Sequence, residues 1–204
     1  MDRFDRWVAE TTTRYLRVRQ EEDVAPLVAG ARNGDAACVS ALAARFGPAL
    51  QHKLSRLGSL AAEWSGEVVN DVFLRLPVAL RTYEERGRFD QWLFGLAHNR
   101  WRTVRRSQLR DRHEPDAGLE GYAAGALSAP HRVDFELLRA RAEAMLSAAE
   151  REAWLLATEG FDRQDIARML EITPENVGVR LDRARKRLRA MLADYLNEHD
   201  TNSE

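Results

Sequence analysis

The chain has 204 residues, enough for one large domain or two small ones, of which 45% are hydrophobic and 31% charged, with a formal net charge of −1. That balance excludes wholesale disorder, and no run of residues approaches the length of an apolar membrane span. The charged opening stretch "MDRFDRWVAETTTRYLRVRQEED" holds no apolar leader segment, so no membrane insertion and a cytoplasmic location are expected.

Residues 1–23 carry no pattern to which a role can be assigned. From Val24 to Leu57, apolar residues recur at helical steps: Leu27, Val28 and Ala31, then Cys38, Val39, Leu42, Phe46, Leu50, Leu54 and Leu57. Gly34-Asp35 and Gly47-Pro48 can each interrupt or kink this stretch. Cys38, the only cysteine, reads as a small buried side chain and excludes an internal disulfide. A second helical run uses Val68, Val69, Val72, Phe73, Leu76 and Leu80 and ends in the turn-prone "TYEERGR". A third starts at Phe89 and continues through Trp92, Leu93, Leu96, Ala97, Trp101 and Val104.

In that third run, "RGRFDQWLFGLAHNRWRTVRRSQLRDR", arginines outnumber acids and Phe89, Trp92, Phe94 and Trp101 lie among them. Such a mixture can hold single-stranded nucleic acid, cations tracking phosphates and rings stacking on bases. The spacing of Phe89 and Trp92 favours packing in the core. Burial of Arg100, Arg102, Arg105 and Arg106 is disfavoured by the cost of an unpaired charge. Residues 111–132 then lose the apolar period and gain glycine and proline, as a linker does. Helical spacing resumes at Val133 and lasts to about Tyr195, leaving 197–204 as a tail. With strand signals nearly absent, the expected fold is all-α: two helical domains joined by a flexible linker.

The second domain contains the grammar of a helix-turn-helix. Ile166, Ala167 and Leu170 give one helix an apolar face, and Ile172 plugs the turn. Thr173 is a natural N-cap and Pro174 suits the first helical position. The second helix buries Val177, Leu181, Ala184, Leu188 and Leu192, at steps of three and four. Six positive charges fall between Arg180 and Arg189, with Arg180, Arg183 and Arg187 forming a stripe. Guanidinium groups suit phosphates and guanine edges, and a helix of this width fits the major groove. The first helix supports and the second reads DNA.

Together "EVVNDVFLRLPVAL", "RGRFDQWLFGLAHNRWRTVRR" and "LSAAEREAWLLATEGFDRQDIARMLEITPENVGVRLDRARKRLRAML" resemble, in this order, three segments of the extracytoplasmic-function sigma factors of bacterial RNA polymerase. The resemblance implies a first domain over 24–110 that binds core RNA polymerase and the −10 element. It implies a second, over 133–196, that reads the −35 element. Asn70, Asp71, Leu74 and Arg75 match the polymerase-binding helix, Asn70 standing where glutamine is usual. Asp71 and Arg75, four apart opposite the apolar face, should project outward. Thr82 to Arg88 match the loop that captures a flipped −10 base. Arg88, Trp92, Asn99, Arg100, Arg105 and Arg106 are the implied −10 contacts. Glu175, Asn176, Arg180, Arg183 and Arg187 are the implied −35 contacts. Gly178 falls where the family often has lysine. Core RNA polymerase and promoter DNA are the implied partners, with room for an anti-sigma factor.

The competing reading is a two-domain helix-turn-helix regulator that does not replace the sigma subunit, but it leaves the basic-aromatic segment idle. An enzyme is disfavoured: there is no phosphate-binding glycine loop, no H-E-x-x-H and no cysteine ligand set. The five histidines are scattered and read as surface residues rather than metal ligands, and no cofactor is expected.

Overall fold

Helical periodicity becomes helix wherever the computed structural model describes the chain, at residues 24–84, 88–112 and 140–201. In the N-terminal part, α1 (Ala25–Arg32), α2 (Ala36–Ser55) and α3 (Ser59–Ala79) are followed by a single 3-10 turn, Leu80–Thr82, and then α4 (Phe89–Arg112). In the C-terminal part, residues 140–144 are helical and precede α5 (Ala148–Thr158), α6 (Arg163–Leu170) and α7 (Pro174–Thr201). No strand occurs among the described residues. The described residues divide into two compact units, one within 24–112 and one within 140–201.

Local chemistry sets the helix ends of the first unit. Gly34 turns the chain at φ +86°, a left-handed conformation that suits glycine. Asp35 then caps α2, its Oδ1 accepting from the Ala37 amide at 2.8 Å. The core is a stack of α2 residues (Leu42, Phe46, Leu50, Leu54) against α3 residues (Val68, Val72, Leu76), closed by Leu93, Phe94, Ala97 and Trp101 of α4. A fully buried side chain of this size stabilises the fold by roughly 1.5–3 kcal/mol relative to exposure. Gly30 is needed where α1 meets α2, because a Cβ there would overlap Cys38 Sγ.

Five expectations change in the structure. Gly47-Pro48 does not break the helix: α2 runs through Pro48, held by apolar neighbours on both sides. Cys38 is half-buried rather than in the core, because its position in the first turn of α2 lets the thiol donate to Asp35 Oδ2 at 3.3 Å. His98 is not on the surface; it is fully buried in α4 beside Phe94, with ring centroids 6.3 Å apart. Phe94 and Trp101 are core residues, so neither ring is available to stack on a base. The expected linker begins later than 111, since α4 continues to Arg112; residues 113–132, like residues 1–23, lie outside the described residues.

The second unit is organised by its caps. Ser147 and Glu150 form a capping box at the start of α5, Ser147 Oγ accepting from the Glu150 amide while the Glu150 carboxylate accepts from the Ser147 amide at 2.9 Å. Arg151, only 4% exposed, donates to the carbonyls of Glu143 and Leu146 and so ties the preceding helical end to α5. Between α6 and α7, Glu171 takes a left-handed conformation at φ 57° and the Ile172 amide returns to the Ala167 carbonyl.

Candidate nucleic-acid and polymerase interfaces

The helix-turn-helix forms as its spacing predicts. Ile166, Ala167 and Leu170 of α6 are buried against Val177, Leu181, Ala184 and Leu188 of α7. Thr173 caps α7 through the Asn176 amide, 3.3 Å from its Oγ1. Burying this stripe turns the other side of α7 outward. Glu175, Asn176 and Arg183 are exposed, and Arg180 is half-buried. Glu175 has its carboxyl held below the ordinary range, first by its own backbone amide, then by the Thr173 hydroxyl and more weakly by the charge of Arg163. It is therefore ionised at neutral pH.

The stripe is not uniform in its partners. Arg180 and Arg183 form no ion pair among the described residues. Arg185 pairs with Asp182 at 2.9 Å. Arg187 turns toward α5: its Nη1 donates to the Met145 carbonyl at 3.1 Å and its Nε lies 3.5 Å from Glu150 Oε2. The capping carboxylate of α5 thus also anchors the middle of α7. In this arrangement Arg187 braces the domain, whereas Arg180 and Arg183 keep their donors for a ligand.

In the first unit, α3 presents Asn70, Leu74 and Val78 at steps of four on one exposed face. Leu74 is 72% exposed and Val78 65%, an apolar pair in open solvent. The family resemblance flagged Leu74 but not Val78. Arg75 projects outward as expected, while Asp71 does not. Asp71 Oδ1 accepts from Arg75 Nε at 2.9 Å, and its Oδ2 lies 2.6 Å from Arg100 Nε on α4. The Arg100 N–H is not aligned on that oxygen, so this second contact is an ion pair rather than a hydrogen bond. Beside it runs a groove of about 560 Å³ between α3 and α4, lined by Trp64, Asn70, Leu74, Arg100 and Thr103 among others.

Around the start of α4 an aromatic cluster forms. Tyr83 and Trp92 lie 4.8 Å apart, and Phe89 meets both rings at 5.7 Å and Phe46 at 5.2 Å. Phe89 is buried, whereas Tyr83 and Trp92 are half-buried. Arg88 is exposed and sits 3.7 Å from Asp90. Asn99 and Arg106 are exposed on α4, with Arg100 and Arg105 half-buried. A residue that spacing could not reveal is Arg32. Its Nε donates to the Leu80 carbonyl at 3.1 Å and its Nη2 to the Tyr83 carbonyl at 3.0 Å, pinning the turn that leads to the cluster.

Comparison with known proteins agrees with this geometry. Residues 133–188 match the family model for sigma-70, region 4. The sigma factor RpoE from Bartonella quintana, solved in complex with the anti-sigma factor NepR, superposes with a TM-score of 0.53 at 26% identity. That match covers 72% of this chain and 91% of that one. CnrH, solved in complex with the cytosolic domain of CnrY, is similar at 24% identity and a TM-score of 0.49, over 82% of this chain and 96% of its own. No curated protein matches the chain in sequence. The second unit therefore carries a sigma-70 region 4 signature, and the chain is similar to a solved sigma factor.

Proposed function

We propose that the chain is an alternative sigma factor and that its two units divide the labour of promoter-specific initiation with core RNA polymerase. In the second unit, α7 lies in the major groove of the −35 element. Arg180 and Arg183 contact base edges or phosphates there, Glu175 and Asn176 sit at the entering end, and Arg187 holds α7 to α5. In the first unit, Arg88, Trp92, Asn99, Arg100, Arg105 and Arg106 engage the −10 element as it opens. Asn70, Asp71, Leu74 and Arg75 face polymerase. The observation that carries the reading is the pairing of a buried apolar stripe on α7 with two arginines that no carboxylate of the described residues neutralises.

Polymerase and promoter place the protein in the cytoplasm. No described helix is long and apolar enough to cross a membrane. The exposed Leu74 and Val78 suit polymerase and an anti-sigma factor alike, so such a factor would act by competition for this face. The test is transcription in vitro with core polymerase and no other sigma factor. Promoter-specific transcripts are expected. Transcripts that appear only when a second sigma factor is supplied would instead make the protein a regulator.

A further inference from the structure

Gly178 stands in the interior of α7, where glycine weakens a helix, next to the buried Val177. Its neighbour in space is the guanidinium of Arg163, the first residue of α6. A Cβ on Gly178 would lie 3.6 Å from both Arg163 Cζ and Nη1, and 3.9 Å from Nε. The plane of the guanidinium is therefore set against the backbone of the reading helix, one turn from Glu175. Arg163 is nevertheless exposed, and no carboxylate of the described residues forms an ion pair with it. Its donors therefore stay solvated and open to an anion.

We propose that Arg163 is a further DNA-contacting residue: its guanidinium, from the supporting helix, lies on the reading helix over Gly178, where only a small residue leaves it room, and takes a backbone phosphate beside the −35 element. The proposal rests on α7 being the −35 reader and adds a residue that sequence spacing did not single out. A planar fork of N–H donors matches a phosphate. In a helix-turn-helix the first helix crosses the DNA backbone while the second enters the groove, so the start of α6 is where a phosphate would be met. Arg163 is near enough to Glu175 for its charge to be the weakest of the causes that lower that carboxyl. A contact of this kind positions the protein and carries no base information.

The test uses holoenzyme assembled from the full chain and core polymerase, on a promoter duplex selected by that holoenzyme from a randomised pool and on a random-sequence duplex. Arg163→Gln keeps the length and removes the charge. It should weaken binding several-fold on both duplexes and make the slope of log affinity against log salt shallower by about 0.9, the value for one lost phosphate. Gly178→Ala makes only ordinary contact with the guanidinium and should bind as the parent does. Gly178→Leu should displace Arg163 and reproduce the loss seen with Arg163→Gln. An unchanged salt slope in Arg163→Gln overturns the proposal, including the case where its melting temperature drops, because Arg163 would then be a strut between helices. Equal binding by Gly178→Leu and Gly178→Ala also overturns it. Arg183→Ala run in parallel separates the two levels: if it too binds normally, the assignment of α7 itself has failed.

Discussion

The two units carry arginine in different states. On α3 and α4 of the first unit, Asp71 holds Arg75 and Arg100 together, and Arg88 lies near Asp90. On α7 of the second, Arg180 and Arg183 have no such neighbour among the described residues, although Arg185 and Arg187 of the same helix do. A charge already answered within the protein must give up that contact before it can serve a ligand, so the contact is subtracted from the binding free energy. The second unit is thus built as an open cationic surface. The first presents an apolar pair, Leu74 and Val78, and a half-buried aromatic cluster, with Arg75, Arg88 and Arg100 engaged. That difference suits the proposed roles, in which the second unit meets intact −35 duplex and the first serves both a protein surface and opened DNA.

The comparison breaks most visibly on the open side. Arg180→Ala and Arg183→Ala should each cost about 1–3 kcal/mol at a cognate −35 site if the side chain makes a bidentate base contact. Gel shifts of holoenzyme on cognate and mutated −35 duplexes would show the loss confined to the cognate sequence. Equal loss on all duplexes would assign the residue to phosphate instead. Arg187→Ala should differ in kind, since its guanidinium is committed to Glu150 and the Met145 carbonyl; it should lower stability with less effect on sequence preference.

A second prediction tests the brace itself. Glu150 accepts from the Ser147 amide and faces Arg187, so one carboxylate serves a helix cap and a contact between helices. Glu150→Ala should cost about 0.5–2 kcal/mol, the usual range for a lost cap. Denaturant unfolding of the second unit's transition would read it. Glu150→Gln should recover part of the loss, because its amide oxygen can still accept from Ser147. If Glu150→Ala is as stable as the parent, the capping box contributes nothing and Arg187 is free to serve DNA.

What was legible in the sequence divides along the same line. Val177, Leu181, Ala184 and Leu188 announce their burial because α7 is regular and its period survives into the fold, and Thr173-Pro174 announces its start. Contacts between separate helices are silent in any periodicity. Asp71 and Arg100 lie on different helices, as do Arg163 and Gly178 and, further apart still, Arg32 and Tyr83; a stretch read on its own shows each as an ordinary surface residue. His98 misled for the opposite reason: a single polar residue on a helix reads as exposed, yet its position on α4 faces the core beside Phe94. Gly47-Pro48 misled because a local helix breaker was weighed without the apolar packing that carries α2 through it.

Making the first unit resemble the second gives a smaller effect. Asp71→Asn keeps the shape and removes the charge that holds Arg75 and Arg100. Asp71 is partly exposed and exposed pairs are weak, so stability should change by less than about 1 kcal/mol. Arg100 would gain freedom to meet phosphate, and the full chain should bind single-stranded DNA more tightly and with steeper salt dependence. Fluorescence anisotropy with a labelled oligonucleotide measures this. Unchanged affinity would mean that Arg100 faces DNA in spite of its ion pair.

The smallest effect concerns Cys38, where a carboxylate again answers a polar neighbour. Asp35 accepts from the Cys38 thiol and from the Ala37 and Cys38 amides. The thiol hydrogen bond is the largest cause that lowers the Asp35 carboxyl, and the same bond is the largest cause that raises the thiol. A raised thiol pKa means less thiolate at a given pH, and thiolate is the reacting form. Alkylation of Cys38 at pH 8 should therefore be slower than that of an unstructured cysteine peptide. Asp35→Asn should speed it while keeping α2 capped, since asparagine caps a helix as well as aspartate does. The sign for Asp35 runs the other way. A depressed carboxyl stabilises the folded chain above its ordinary pKa and loses that contribution as pH falls through the lowered value. The Asp35 contribution should therefore be constant from neutral pH down to about pH 5 and fade only in stronger acid. An alkylation rate equal to that of the peptide would show that the thiol does not donate to Asp35 in solution.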